Sequence, residues 1–304
     1  MAATGSAAEE SYVLVDGMRM HYRRAGSGPA LVLLHGLVGS AKNWSQNIDV
    51  LSREAMVYAL DLPNMGDSER VTDLDASLRA TADQVARWMD AVGLADADVA
   101  GHSHGGAIAL MLGARHPERV RRLVLFAPAN PFCDSGRNLI RFYKTRFGQR
   151  FARLIPSMPR VLHRIALGRM YGDASRIREG SLEAYTGKFN VASVEHVLRI
   201  VQAWGDDMKA LLQALGRMLE KPVLLIWGDR DRAVSLGSSV PLRSLLPQSS
   251  LLVIPGVGHL PFEETPEICN RAMLAWLRDG ELPVEAARQS EAAMPAWKRK
   301  AIRA

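Results

Sequence analysis

The sequence predicts an α/β fold, a mostly parallel twisted sheet with helices on both faces and a helical cap inserted between two strands. Three observations carry that expectation. Short apolar runs with little alternation recur along the chain, each leading through a turn into a stretch of helical periodicity. Such runs suit parallel strands buried on both faces. They stop between residues 132 and 205, where only helical patterns continue. The run at 97–103 ends in GHSHGG (101–106), a glycine bracket around one serine at a strand-to-helix turn.

The elements follow in order. SYVLVDGMRMHYRRAGSGP (11–29) centres on Asp16-Gly17, a hairpin turn signal between two alternating runs. Strand-like runs come next at 30–36, 56–63, 97–103 and 122–129, and again at 221–229 and 249–256. LRATADQVARWMDAVG (78–93) is helical and stops at Gly93, and AIALMLGARHPERV breaks at His116-Pro117. DDMKALLQALGRMLEKP is expected to open with Asp206 or Asp207 as its cap and to end before Pro222. In the insertion, Leu139, Tyr143, Phe147, Phe151 and Leu154 recur every three or four residues, one stripe on a single helix, with Arg and Lys around it. The expected organisation is a core of 1–131 plus 206–280, a cap of 132–205 and a basic tail of 281–304 that finishes AWKRKAIRA.

Composition bounds the function. A chain of 304 residues holds one large domain, or a core with an insertion. No apolar run approaches the roughly 20 residues that cross a bilayer. MAATGSAAEE lacks the basic and apolar blocks of a signal peptide, so a cytoplasmic location is expected. Cys133 and Cys269 stand far apart, outside any CxxC pattern, and read as packing residues. The net charge of +6 is local: residues 133–205 hold 13 basic against 5 acidic side chains. That excess suits a solvated helical face, and also an acidic substrate or an anionic surface. No nucleic-acid partner is expected; peripheral membrane contact stays open, and oligomeric state is not legible.

Gly101-His102-Ser103-His104-Gly105 fits G-x-S-x-G. So tight a strand-to-helix turn needs small residues two before and two after the serine, and it holds the hydroxyl above the sheet edge at a helix start. A serine needs a base, and the base needs an orienting group. His259 follows the last strand-like run and Asp231 the one before it, giving the order Ser, Asp, His. The competing reading makes His102 and His104 metal ligands. Zinc would need a third ligand and an open position, so no metal and no cofactor is expected.

At these residues the chain resembles the α/β-hydrolase family over about 12–278, with HGLVGS (35–40), DLPNMGDS (61–68), GHSHGG, PVLLIWGDRD and GVGHLPFEETPE in family order. The resemblance implies Ser103 as nucleophile, His259 as base and Asp231 as the acid, with Asp229 the runner-up. It implies an oxyanion hole from the backbone N–H groups of Leu37 and His104. His102 then reads as a packing residue at the elbow, and His35 as holding its own loop. Asp61 and Asp67 read as turn and cap residues. His104, Trp204 and Leu260 are the candidate substrate contacts. Family members that open epoxides or displace halide attack with a carboxylate, whereas this chain has a serine. The expected activity is therefore that of a carboxylic-ester hydrolase, on a small-molecule substrate with an apolar acyl or aryl group and room for an anionic end. Hydrolysis of a C–C bond or lactone is the alternative. C–C hydrolases of ring-cleavage products usually carry Trp after the catalytic His, where this chain has Leu260. A receptor-like binder of the same fold is a third reading.

Overall fold

The computed structural model describes residues 8–218 and 220–282. Eight strands form one sheet: β1 (Glu9–Val15), β2 (Met18–Ala25), β3 (Ala30–Leu34), β4 (Met56–Leu60), β5 (Ala97–His102), β6 (Val120–Phe126), β7 (Val223–Gly228) and β8 (Ser249–Ile254). Their spatial order is β1-β2-β4-β3-β5-β6-β7-β8. The hairpin at Asp16-Gly17 makes β1 and β2 antiparallel, β2 pairs antiparallel with β4, and every later pairing is parallel. From β3 the chain crosses to β4 on one side and then back to β5 on the other, so the loops leaving β3 and β5 part company. A cleft at the carboxyl ends of those strands is where such sheets take ligands.

Both faces of the sheet are covered. In β6, Leu123 and Leu125 join one buried cluster, while Val124 and Phe126 join the other. The first cluster packs under helices Leu78–Ala91 and His104–Arg115; the second holds Trp44, Phe262 and Trp276 around helix Pro266–Asp279. That is why the central strands read as unbroken apolar runs.

Between β6 and β7 the described residues are helical, without a strand. Two expectations change here. The stripe from Leu139 to Leu154 is split over two helices, Arg137–Lys144 and Arg146–Leu154. Thr145 is extended (φ −79°, ψ 153°), and its hydroxyl accepts the Gly148 N–H at 3.0 Å, which starts the second helix. Nor is the stripe buried: Tyr143 packs on Ala152, Val194 and Leu198, but Leu139, Phe147, Phe151 and Leu154 face solvent.

Neither Asp206 nor Asp207 starts a helix. One helix of 25 residues, Val191–Leu215, runs through both and is capped by Asn190, which accepts the Ser193 N–H at 3.1 Å. Asp207 instead accepts the Leu78 N–H at 3.0 Å, capping a different helix from across the chain. The boundary drawn at 205/206 thus falls inside a continuous helix, whose Val194 and Leu198 pack in the cap and whose Leu211 and Leu215 pack in the core. Of the tail at 281–304, all but residues 281 and 282 lie outside the described residues. Among the described residues no helix is long and apolar enough to cross a membrane.

Asp61 is more than a turn residue. It is buried and accepts the backbone N–H of Ala41 at 2.5 Å and of Asp67 at 2.8 Å, while His21 Nδ1 lies 2.7 Å from its second oxygen. The far ring nitrogen of His21 meets Glu10 at 2.7 Å. Burial opposes charge on both partners. The carboxylates nonetheless raise the His21 pKa, and His21, His35 and the two N–H groups lower that of Asp61. Replacing His21 by Leu leaves this carboxylate buried without its partner, at an expected cost of about 3–5 kcal/mol in urea unfolding. A raised histidine pKa stabilises below the unfolded value and loses that contribution as pH rises through the folded one. The deficit of His21→Leu should therefore be largest on the acid side of neutrality and shrink above it; a pH-independent deficit would contradict the pairing.

Candidate active site

Ser103 is the residue between β5 and helix His104–Arg115, and it sits at φ 52°, ψ −114°. A non-glycine residue there is strained by about 1–3 kcal/mol, so its surroundings must fix it. The Ser103 N–H donates to Phe126 at 3.0 Å, and the Ser103 carbonyl accepts the N–H groups of Ala107 and Ala129 at 3.1 and 2.9 Å. The bracketing glycines are required by space. A Cβ on Gly101 would strike the Gly105 backbone, one on Gly105 the carbonyls of Leu34 and His35, and one on Gly106 the ring of Pro128.

Asp231 and His259 come together on the loops after β7 and β8. His259 Nδ1 lies 2.8 Å from Asp231 Oδ2, with both side chains nearly or wholly buried. Asp231 Oδ1 accepts the Ala233 and Val234 N–H groups at 2.8 and 2.9 Å, which fixes the carboxylate. A carboxylate at Nδ1 makes that nitrogen the donor and leaves Nε2 as the proton acceptor. Asp229 spends an oxygen on the Gly256 N–H at 2.7 Å, at an exposed turn. Ser103 follows His102, whose ring centroid lies 4.6 Å from that of His259, so the serine and the Asp–His pair occupy one sheet edge.

The Leu37 loop is held by His35. Its Nδ1 donates to the Gly36 carbonyl at 2.8 Å and its Nε2 accepts the Leu62 N–H at 3.0 Å, which defines the neutral tautomer. Gly39 N–H closes a turn onto the same carbonyl at 3.0 Å, with Val38 at φ 65°, and Leu37 sits at the turn's corner. The His104 N–H, first in its helix, has no acceptor within the helix. Leu37 and the His104 side chain share a recess with His35, Met65, His196 and Ile200. Trp204 stacks on His104 at 6.3 Å beside it. Leu260 is elsewhere, in the buried cluster with Val257 and Phe262.

The histidines of the recess are neutral. Burial lowers the pKa of His35, and burial together with His196 and His35 lowers His104 to about 3. Burial and then Arg199 lower His196 to about 4. Asn64 Nδ2 donates to His196 Nδ1 at 3.0 Å, and the Asn64 carbonyl accepts from Ser193, tying the long helix to the loop after β4. The one group of three potential metal ligands found among the described residues is His21, Asp61 and Asp67, within 4.8 Å. His102 and His104 join no such group. Burial pushes the Cys269 thiol up, so it is no thiolate nucleophile.

Three roles escaped the sequence reading. His102 does not merely pack: its Nε2 donates to the His259 carbonyl at 2.9 Å, and burial, then His259, keep its pKa well down. Glu264 accepts the N–H groups of Gly172, Asp173 and Gly258 at 3.0, 3.0 and 2.8 Å. Glu263 accepts from Tyr171, Tyr185 and Asn43 at 2.9, 2.5 and 3.0 Å. Together they fasten the cap to the His259 loop, where the His259 N–H also donates to Met170 at 2.6 Å. The legible signal was two adjacent glutamates in GHLPFEE; their partners lie too far along the chain to be read.

Comparison with known proteins agrees with this architecture. The model of the family described as alpha/beta hydrolase fold matches residues 29–266. The chain is 31% identical over 255 residues to a 2-hydroxymuconate semialdehyde hydrolase of Pseudomonas sp. (strain CF600), covering 81% of this chain and 86% of that protein. It is 41% identical over 272 residues to the dihydrolipoyllysine-residue acetyltransferase component of an acetoin cleaving system from Cupriavidus necator, covering 84% of this chain but only 65% of that longer protein. Among solved structures, a bacterial membrane phospholipase A superposes with a TM-score of 0.74 at 29% identity, covering 90% and 86% of the two chains.

Two measurements test the contacts. His102→Phe keeps the ring and removes the donor, and should lower unfolding free energy by about 1–2 kcal/mol; an unchanged melt would show that the bond carries no weight. Burial raises the Glu263 pKa to about 7 against its three donors. A carboxyl whose folded pKa lies above the unfolded value costs stability as pH rises between the two. Glu263→Gln should therefore gain on wild type from about pH 5 to about pH 8, followed by thermal melts. A variant that instead loses ground with pH would reverse that assignment.

Proposed function

Because the chain belongs to the alpha/beta hydrolase fold family, we propose that it is a serine hydrolase that cleaves carboxylic esters through an acyl-enzyme on Ser103. The observation that carries this reading is the His259–Asp231 pair at 2.8 Å, set at the sheet edge where Ser103 is held at φ 52°. His259 Nε2 takes the Ser103 proton as Oγ attacks the substrate carbonyl. The N–H groups of Leu37 and His104 receive the developing oxyanion. The same nitrogen then returns the proton to the departing alkoxide, and water deacylates the serine by the reverse sequence. Asp231 orients the imidazole and balances its charge; it does not itself take the proton.

The recess beside Leu37 and His104 is lined by apolar side chains, Thr81 and neutral histidines, with no Arg or Lys. It favours an uncharged acyl group over the anionic one that the basic cap invites. The ester reading is supported by the likeness to a phospholipase A, and its rival by the likeness to a semialdehyde hydrolase. Leu260, buried in the core, gives a C–C substrate no aromatic contact at that position.

A serine-directed fluorophosphonate should label the wild type and not Ser103→Ala, and the variant should lose ester turnover by at least about 10⁴-fold. Turnover of p-nitrophenyl esters should exceed that of analogues with a terminal carboxylate. Folded wild-type protein that resists labelling would overturn the mechanism. Labelling with turnover of 2-hydroxymuconate semialdehyde, and of no ester, would move the activity to the second reading.

A further inference from the structure

The cap carries a surface that ester hydrolysis leaves unexplained. Residues 135–172 contain eight arginines and one lysine, without a single aspartate or glutamate. Along the same stretch large apolar side chains stand out in solvent. On helix Arg146–Leu154, Phe147, Phe151 and Leu154 are spaced by four and three on one face and are 71%, 38% and 61% exposed. On helix Arg160–Gly168, Val161, Leu162 and Ile165 share a face at 61%, 47% and 55%. Phe142 touches Phe147 and Phe151 edge-on, both at 6.0 Å, joining the first two helices. His163 Nε2 donates to the Ile155 carbonyl at 2.8 Å, joining the third.

The charges are as free as the apolar groups. Arg137, Arg153 and Arg160 spend themselves on Asp134, Glu195 and Glu183. Arg141, Arg146, Arg150, Arg164 and Arg169 are exposed and form no ion pair with any described residue. Protruding apolar side chains flanked by guanidinium groups on short helices match the boundary between lipid headgroups and acyl chains. The long stems cover hydrocarbon while the heads meet phosphate. A row of free cations without an acid among them also meets the field of an anionic leaflet.

We propose that the three helices of residues 137–168 dock the protein on an anionic lipid bilayer, with Phe147, Phe151, Leu154, Val161, Leu162 and Ile165 entering its surface. The last of these helices leads within two residues to Met170, whose carbonyl accepts the His259 N–H. The docking face and the candidate site are thus joined by a short piece of backbone.

Flotation of the full chain with lipid vesicles tests this and does not depend on turnover. Vesicles of phosphatidylcholine with a minor fraction of phosphatidylglycerol should carry the protein about tenfold or more better than phosphatidylcholine alone, with the advantage lost in high salt. Arg146→Glu with Arg164→Glu, and separately Phe147→Ser with Ile165→Ser, should each weaken flotation by about tenfold or more. These positions are exposed, so melting curves should match wild type; if a pair fails to fold, its Arg146 or Phe147 single variant replaces it. Wild type that does not float, or variants that float equally, would overturn the proposal. So would a lipid-free dimer that Phe147→Ser with Ile165→Ser makes monomeric, since the face would then belong to a second copy of the chain.

Discussion

The site depends on how closely backbone can approach backbone around Ser103. The chain leaves β5, reverses through one strained residue and enters a helix, and this is feasible only because Gly101, Gly105 and Gly106 present no side chain to their neighbours. The strain is local but its restraint is not. Phe126 and Ala129, at and beyond the end of the adjoining strand, hold the Ser103 amide and carbonyl, and the carbonyls of Leu34 and His35 press on Gly105. Parallel pairing of β3 with β5 then brings the Leu37 loop beside the helix start, while β7 and β8 deliver Asp231 and His259 to the same edge. The elbow is thus a property of the whole sheet, expressed at one residue.

Around that elbow the protein assembles several imidazoles and keeps most of them uncharged. His35, His102, His104 and His196 are buried and make no hydrogen bond to a carboxylate of any described residue, so removal from water decides their state. His259 differs through one bond, to Asp231. The contrast sets the ring that a carboxylate holds apart from neighbours that shape the loop and the recess. It also keeps the surroundings of the Leu37 and His104 N–H groups poor in competing charge, where a dipole acts strongly.

The features legible in the sequence are those set by neighbours along the chain. The Asp16-Gly17 hairpin, the buried strands and the glycine spacing about Ser103 all follow from local backbone demands. The order of Asp231 and His259 was readable because each follows its strand directly. What escaped depends on distant partners: Asp207 caps a helix 129 residues away, His102 holds a carbonyl 157 residues on, and Glu263 reaches Tyr171 across 92. Even the aromatic stripe misled for a physical reason. Its periodicity continues through Thr145, but a threonine followed three residues later by glycine offers the backbone a new cap, and the helix restarts there.

The helix Val191–Leu215 spans about 37 Å, and it belongs to two parts of the molecule at once. Its early turns carry His196 and its middle carries Trp204 toward the recess, and its last turns are sealed into the core through Leu211 and Leu215. The beam is held near both ends, by Asn64 at one and by the packing of Leu211 and Leu215 at the other. The lining of the recess and the packing of the core are therefore inherited as one piece. A foreign lid spliced at residue 206 would join two unrelated half-helices, whereas an exchange that carries the foreign chain through to residue 215 keeps the helix whole and must bring its own apolar side chains to positions 211 and 215.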